Sequence, residues 1–261
     1  MSISKLSDQV QNQIRVSEKV AASARTHGPA ISPFLAAYAK EAQGPDTTAT
    51  VGAFLAVFGA LADGLDRRTA ELRETELALA GERADDGPVR ATRDQKATAL
   101  TALLSQLRRA VDDHLGAAAL ATYGLATESP RVPAKLLQYG TNVARLLGEF
   151  PTSVVSSLGT TFDTKLALDV LKTHCKELEA AVADDHREAR ELEAALAARN
   201  RAGAAWSHTY QGTASSLEGL YRLAGYQDLA EKVRPTHRKL RGEEEGPDLD
   251  AATPDASPDA G

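Results

Sequence analysis

Cysteine occurs once in this chain, at Cys175, and methionine and tryptophan also occur once each. A single thiol excludes an internal disulfide framework and a cysteine-rich metal site, and it fits a reducing compartment. Aromatic residues make up only 5% of the chain, and runs of alternating polarity rich in Val, Ile, Thr and Tyr are hard to find, so strands are not expected. The opening, Met1 to Val10, has no basic stretch followed by an apolar one. No secretory signal is expected there, and the cytoplasm is the default compartment. None of the six histidines has a glutamate three residues before it, which removes the Glu-x-x-His element that a carboxylate-bridged di-metal bundle needs on one inward face. A phosphate-cradling glycine loop, Gly-x-Ser-x-Gly and His-Glu-x-x-His are also missing. Enzymatic activity and a cofactor are therefore not expected.

What the chain does contain is helix-forming sequence. Ala, Leu, Glu and Arg recur throughout, and an apolar fraction of 43% in 261 residues supplies a real core. From Leu171, steps of four and three lead through Cys175, Leu178, Val182, Asp185, Ala189, Leu192, Leu196, Arg199, Gly203, Trp206, Tyr210, Thr213, Leu217, Leu220 and Ala224. Only Asp185, Arg199, Gly203 and Thr213 break an otherwise apolar or small seam. Unbroken heptad phase without a proline predicts one continuous helix over about 162–224, which at 1.5 Å per residue would reach roughly 80–90 Å. A second arm is expected behind Asp46 as N-cap, with Phe54, Phe58, Leu61, Leu65, Arg68, Leu72, Thr75 and Leu79 at the same spacing. Asp85-Asp86-Gly87-Pro88 should stop it and Pro88 restart it, because proline fits a helix's first turn and not its interior, so this arm is expected to be a hairpin or a kinked rod.

Shorter helices are expected at about 3–25, 33–42 and 133–149, with loops at His27-Gly28-Pro29, Gly44-Pro45 and Ser129 to Pro133. The Ser, Thr and Gly-rich segment 151–161 is the best internal boundary of a body spanning residues 1–241. The fold class that follows is all-α: an elongated antiparallel bundle of long heptad-patterned, coiled-coil-like helices. The two halves, 47–127 and 160–232, each read as a long arm followed by a short apolar turn, which raises the question of duplication.

The net charge of −6 is unevenly distributed. Residues 242–261 carry seven acids and no Lys or Arg, so −6 less −7 leaves the body at +1. That tail, rich in Pro and Gly, is expected to be disordered. A nearly neutral body argues against general attraction to nucleic acid or anionic lipid, so neither partner is expected. Arg234, His237, Arg238, Lys239 and Arg241 form a basic run just before the acidic one.

Pro88-Val89-Arg90-Ala91-Thr92-Arg93-Asp94, Tyr123-Gly124-Leu125 with Thr127 to Pro133, and Leu220-Tyr221-Arg222-Leu223-Ala224-Gly225 through Val233-Arg234-Pro235 resemble a bacterial family of all-helical proteins without assigned activity. The resemblance implies an all-α body and lends no catalytic or binding residue.

Candidate sites are few. Asp-Asp-His occurs at 112–114 and 184–186, and His114 and Asp185 each fall on their arm's heptad stepping. They would meet at a metal only if the arms pack in one register; a polar contact that sets the register, or simple helix-end solvation, is the alternative. Cys175 sits on the apolar seam, where a core thiol is the ordinary outcome. Trp206, Tyr210, Tyr221 and Tyr226 concentrate large rings near one end of the long helix; rings at this spacing are more often core than ligand cage, and a partner-binding hot spot if partly exposed. Trp206, Tyr210 and Tyr221, with Arg234 and Arg238, are the interaction candidates. Thr47 to Ala62 carries no charge, but a spanning helix needs about 20 residues, so a helix buried in the bundle is the expectation. The favoured reading is a non-enzymatic interaction or scaffold protein whose partners are other proteins or a second copy. A membrane-associated or pore-forming helical protein and a metal-binding bundle are the alternatives.

Overall fold

A computed structural model describes residues 5–155 and 159–241. The expected disordered tail, 242–261, lies outside the described residues. The chain is an all-α helical bundle in which long helices pack against one another. In chain order it forms α1 (Asp8–Gln43), α2 (Val51–Leu115), α3 (Ala117–Thr122), α4 (Pro133–Glu149), β1 (Ser153–Val155), β2 (Thr161–Asp163), α5 (Thr164–Leu223), α6 (Gln227–Val233) and α7 (His237–Arg241).

Two compact units result. The described residues up to Gly81, together with those from Ala195 onward, form unit 1; Glu82–Ala194 form unit 2. The chain passes from one unit to the other within α2 and within α5, and the described residues of the segment 151–161 lie inside unit 2. There β1 and β2 form a two-stranded antiparallel hairpin with Val154 opposite Phe162. This corrects the expectation of no strands. The hairpin is only three residues a side, too short for alternation to show in the sequence. It is tied at its base by Thr152 and Thr164, whose backbone and hydroxyl groups exchange hydrogen bonds of 2.8 to 3.1 Å.

In unit 1, α1 and α5 run parallel and α2 runs against both. Trp206 donates to the Ser17 hydroxyl at 2.8 Å and the hydroxyls of Ser23 and Tyr221 are 3.0 Å apart, so both helices advance together. The partners of Ser7 and Arg25 on α2, Glu76 and Asp63, run in the opposite sense. The core joins Val20, Ile31 and Leu35 of α1, Phe58, Leu65 and Leu72 of α2, and Trp206, Tyr210, Leu217 and Tyr221 of α5. Helices α6 and α7 return onto α1, where Gln13 donates to the Leu240 carbonyl at 3.1 Å.

In unit 2, α2 contributes Leu100, Leu104 and Val111, α4 contributes Leu136, Val143 and Leu147, and α5 contributes Leu171, Cys175 and Leu178. Tyr123 and Leu125 close the core behind α3, and the Tyr123 hydroxyl donates to the Phe150 carbonyl at 2.9 Å. Pro133 opens α4 at its first turn, as expected.

Three boundaries differ from those the sequence predicts. α1 runs unbroken through Gly28-Pro29 and Pro33. Both prolines are exposed and lie four residues apart on one face, so the carbonyls they leave without a donor can be hydrated, while Ile31 and Leu35 bury the opposite face. Gly28 is buried where a Cβ would come within 2.9 to 3.2 Å of Phe58, so glycine here serves close packing and not a turn. α2 likewise continues through Asp85-Asp86-Gly87-Pro88, with Pro88 exposed. Its cap is Thr50, whose hydroxyl accepts from Ala53 N–H at 3.2 Å, in place of Asp46. α5 matches the expected continuous helix. It begins where Asp163 accepts from Lys165 N–H at 2.7 Å and ends at Gly225, whose φ of 84° lets Tyr226 N–H reach back to the Tyr221 carbonyl.

Two substitutions test these assignments. Pro88→Ala restores a helix hydrogen bond at an exposed interior position and should stabilise the protein by about 1–3 kcal/mol in chemical denaturation. A loss of stability would mean that α2 is not helical there. Gly28→Val drives a side chain into the Phe58 ring and should cost about 1–3 kcal/mol.

Candidate functional site

The positions that break the α5 seam are where polar chemistry enters the interior. In unit 1, α2 places Phe58, Ala62, Leu65, Thr69, Leu72, Glu76 and Leu79 on one buried stripe. Glu76 is its only charge. Its carboxylate accepts from Arg199 Nε at 2.8 Å and from Ser7 N–H at 3.3 Å. Burial pushes the Glu76 carboxyl up, but the hydrogen bonds from Ser7 and Arg199 and the guanidinium's charge outweigh it, and the group ionises below the usual glutamate range. In unit 2, Asp185 accepts from Arg93 at 2.9 Å, both side chains being only partly exposed. Arg199 and Asp185, the two charged interruptions of the heptad, thus each face an opposite charge on α2. Gly203 lies against Leu72 of the same stripe.

These contacts dispose of the metal pair. Nδ1 of His114 is 3.0 Å from the Ala110 carbonyl, Nε2 is 3.1 Å from the Thr160 hydroxyl, and the ring leans on Phe162 with centroids 5.8 Å apart. Phe162 stands just before α5, whereas Asp185 lies 21 residues into it, roughly 30 Å along the axis. The arms therefore pack in a register that keeps His114 and Asp185 apart, and Asp185 makes the polar contact that was its alternative. Among the described residues one other acidic group is close-set: Glu82, Glu188 and Glu191 offer oxygens within 4.8 Å of one another. Arg187 pairs with Glu188 at 3.5 Å and approaches Glu191 at 3.9 Å, which accounts for two of the three.

The ring residues are interior. Trp206, Tyr210 and Tyr221 are fully buried; Trp206 and Tyr210 stack at 5.2 Å, and Tyr221 stacks on Phe58 at 6.2 Å. They are not a partner-binding hot spot, because their spacing on α5 is that of the buried seam. Arg234 and Arg238 are exposed, but the basic run is not uniformly presented. Lys239 is turned inward and donates to the carbonyls of Lys232 and Arg234 at 3.2 and 3.3 Å, closing the end of α6. Cys175 is buried on the unit 2 seam; desolvation raises its pKa, with Glu179 adding to this and a Thr141 hydrogen bond opposing it.

The surface that stands out lies at one end of unit 1. The sequence from Gly28 to Ala39 on α1 and from Thr47 to Ala62 into α2 carries no Asp, Glu, Lys, Arg or His. The α2 stripe buried from Phe58 onward continues, in the same heptad phase, to Leu55 and Val51. The flank of α1 that meets Tyr221 through Ser23 and His27 continues to Phe34, which meets Tyr226 edge-on at 6.0 Å, and to Tyr38. Phe34, Tyr38, Val51 and Leu55 are 55%, 53%, 40% and 39% exposed. α5 ends at Leu223 and the chain turns away into α6, so the seat that α5 fills between α1 and α2 runs on beyond it. The predicted break at Gly28-Pro29 hid this surface; the charge-free run from 28 to 39 was its sequence signal.

Among the described residues no helix is long and apolar enough to cross a membrane. The charge-free Thr47–Ala62 segment is not buried in the bundle as expected: only Phe58 and Ala62 enter the unit 1 core, while Val51, Leu55 and Val57 are exposed, because α5 ends before it can cover them. No protein-family model, curated protein or solved structure matches the chain.

The Glu76 pair yields a pH prediction. A carboxyl whose pKa is lowered by folding adds stability that is present above its unfolded value, about 4.3, and lost as pH falls through the folded one. Glu76→Gln should therefore flatten the acid limb of a stability–pH curve. Glu76→Ala should cost about 1–3 kcal/mol at neutral pH by leaving Arg199 without its partner, while Glu76→Leu with Arg199→Leu should be near neutral. A coupling energy near zero in the double-mutant cycle would remove the pair from the register argument.

Proposed function

We propose that the protein is a non-enzymatic interaction protein of the cytoplasm, a scaffold-type bundle with coiled-coil-like arms that presents the uncharged end of unit 1 to another protein. One observation carries this reading: Phe34 and Tyr38 of α1 and Val51 and Leu55 of α2 are exposed on charge-free stretches at the end of unit 1 where α5 stops. Soluble proteins seldom leave such surface contiguous unless something docks there. The rings Phe34 and Tyr38 are suited to anchoring a partner, since aromatic side chains supply much contact area for few rotatable bonds. The side chains nearest to chemistry elsewhere, Glu76, Asp185, His114 and Cys175, are occupied in packing or in polar contacts that support a structural role. The resemblance to bacterial helical proteins without assigned activity agrees with this reading and adds no site.

A photo-activatable phenylalanine at Tyr38, compared with one at the exposed Glu74 of the same unit, tests the proposal in cells. Discrete cross-linked species should form from position 38 and not from position 74. Equal, diffuse labelling from both positions would sink it.

A further inference from the structure

We propose that the seat beyond α5 is filled by the same end of a second copy of this chain. The inference rests on the interaction reading and names its partner.

The surface is built from two helices whose third neighbour stops short. On α2, Leu55 and Val51 hold the heptad phase of the buried stripe, so their shape is that of a seam awaiting a helix. On α1, Phe34 and Tyr38 extend the flank that α5 covers lower down through Tyr221. A two-helix face of this kind is completed by another two-helix face, giving a local four-helix bundle. Two-fold apposition sets each patch against its own copy, which is unfavourable wherever the patch carries charge. Here both contributing stretches, 28–39 and 47–62, carry none, so two copies meet without like-charge repulsion. The same lack of charge offers nothing to an acidic or basic peptide.

Area sets the strength. A buried aromatic ring contributes about 150–250 Å². The exposed parts of Phe34, Tyr38, Val51 and Leu55 then amount to roughly 300–400 Å² per copy, and flanking Pro33 and Ala37 bring the two-sided total near 1,000 Å². Interfaces below about 1,200 Å² belong to the weak, reversible class. The dimer should therefore be concentration-dependent, with dissociation in the micromolar range or weaker.

Sedimentation velocity on the full chain from about 2 to about 300 µM should show monomer giving way to dimer across this range. Tyr38→Glu and Leu55→Glu, at half-exposed positions where folding tolerates a charge, should each raise the dissociation constant at least tenfold while circular dichroism and the melting profile stay unchanged. Leu166→Glu, at an exposed apolar position of unit 2, should leave it unchanged. If Leu55→Glu lowers the folded fraction, Tyr38→Ser supplies the same comparison. A dimer insensitive to these variants, or a monomer at every concentration, overturns the proposal. A monomer whose position 38 cross-linker captures a different protein assigns the seat to that protein and leaves the interaction reading standing. One that floats with phosphatidylcholine vesicles assigns it to a lipid surface and overturns both readings, as does a monomer that does neither.

Discussion

The register between α2 and α5 is the constraint on which the rest of the structure depends. Within each unit these helices lie antiparallel with their seams facing, and burial of Leu, Phe, Tyr and Trp along those seams supplies the driving force. Heptad burial alone tolerates a slip of seven residues, because every seam position has an equivalent one turn pair away. The polar interruptions remove that freedom. Arg199 finds Glu76 in unit 1 and Asp185 finds Arg93 in unit 2, and a slip would leave a partly buried charge without its counter-ion. Trp206 adds a second lock by donating to Ser17, which fixes α1 as well.

Once that register is set, several local features follow from packing and override local preference. α1 holds two prolines and a buried glycine and is still one helix, because Ile31, Leu35 and the Gly28–Phe58 approach are worth more together than the helix hydrogen bonds lost on the solvent side. α2 carries Pro88 on the same terms. α5 stops at Leu223, and at Gly225 the backbone turns and sends α6 and α7 back along α1. That turn ends the cover over α1 and α2 and leaves the charge-free seat exposed. The exposed apolar surface is thus a consequence of where one helix stops.

The chemistry-bearing residues are used to hold this arrangement together. Glu76 and Asp185 pair with arginines, His114 bridges Ala110 and Thr160 beside the β-hairpin, Lys239 closes α6, and Cys175 is core.

The heptad pattern was enough to specify the all-α class, the length of α5 and the burial of Leu65, Leu72, Leu171 and Leu178, since periodic burial is written in residue spacing, and Pro133 marked the start of α4 because proline suits a helix's first turn. Trp206, Tyr210 and Tyr221 were legible as core for the same reason. Helix continuity through Pro29, Pro33 and Pro88 was not legible, because proline's local penalty is visible in sequence while the packing that offsets it comes from residues far along the chain. The partners of Arg199 and Asp185, the separation of His114 from Asp185, the division into two units and the exposed end at Phe34, Tyr38, Val51 and Leu55 were decided only by tertiary structure. Each depends on which turn of one helix faces which turn of another, and periodicity repeats too often along a helix to choose among those registers.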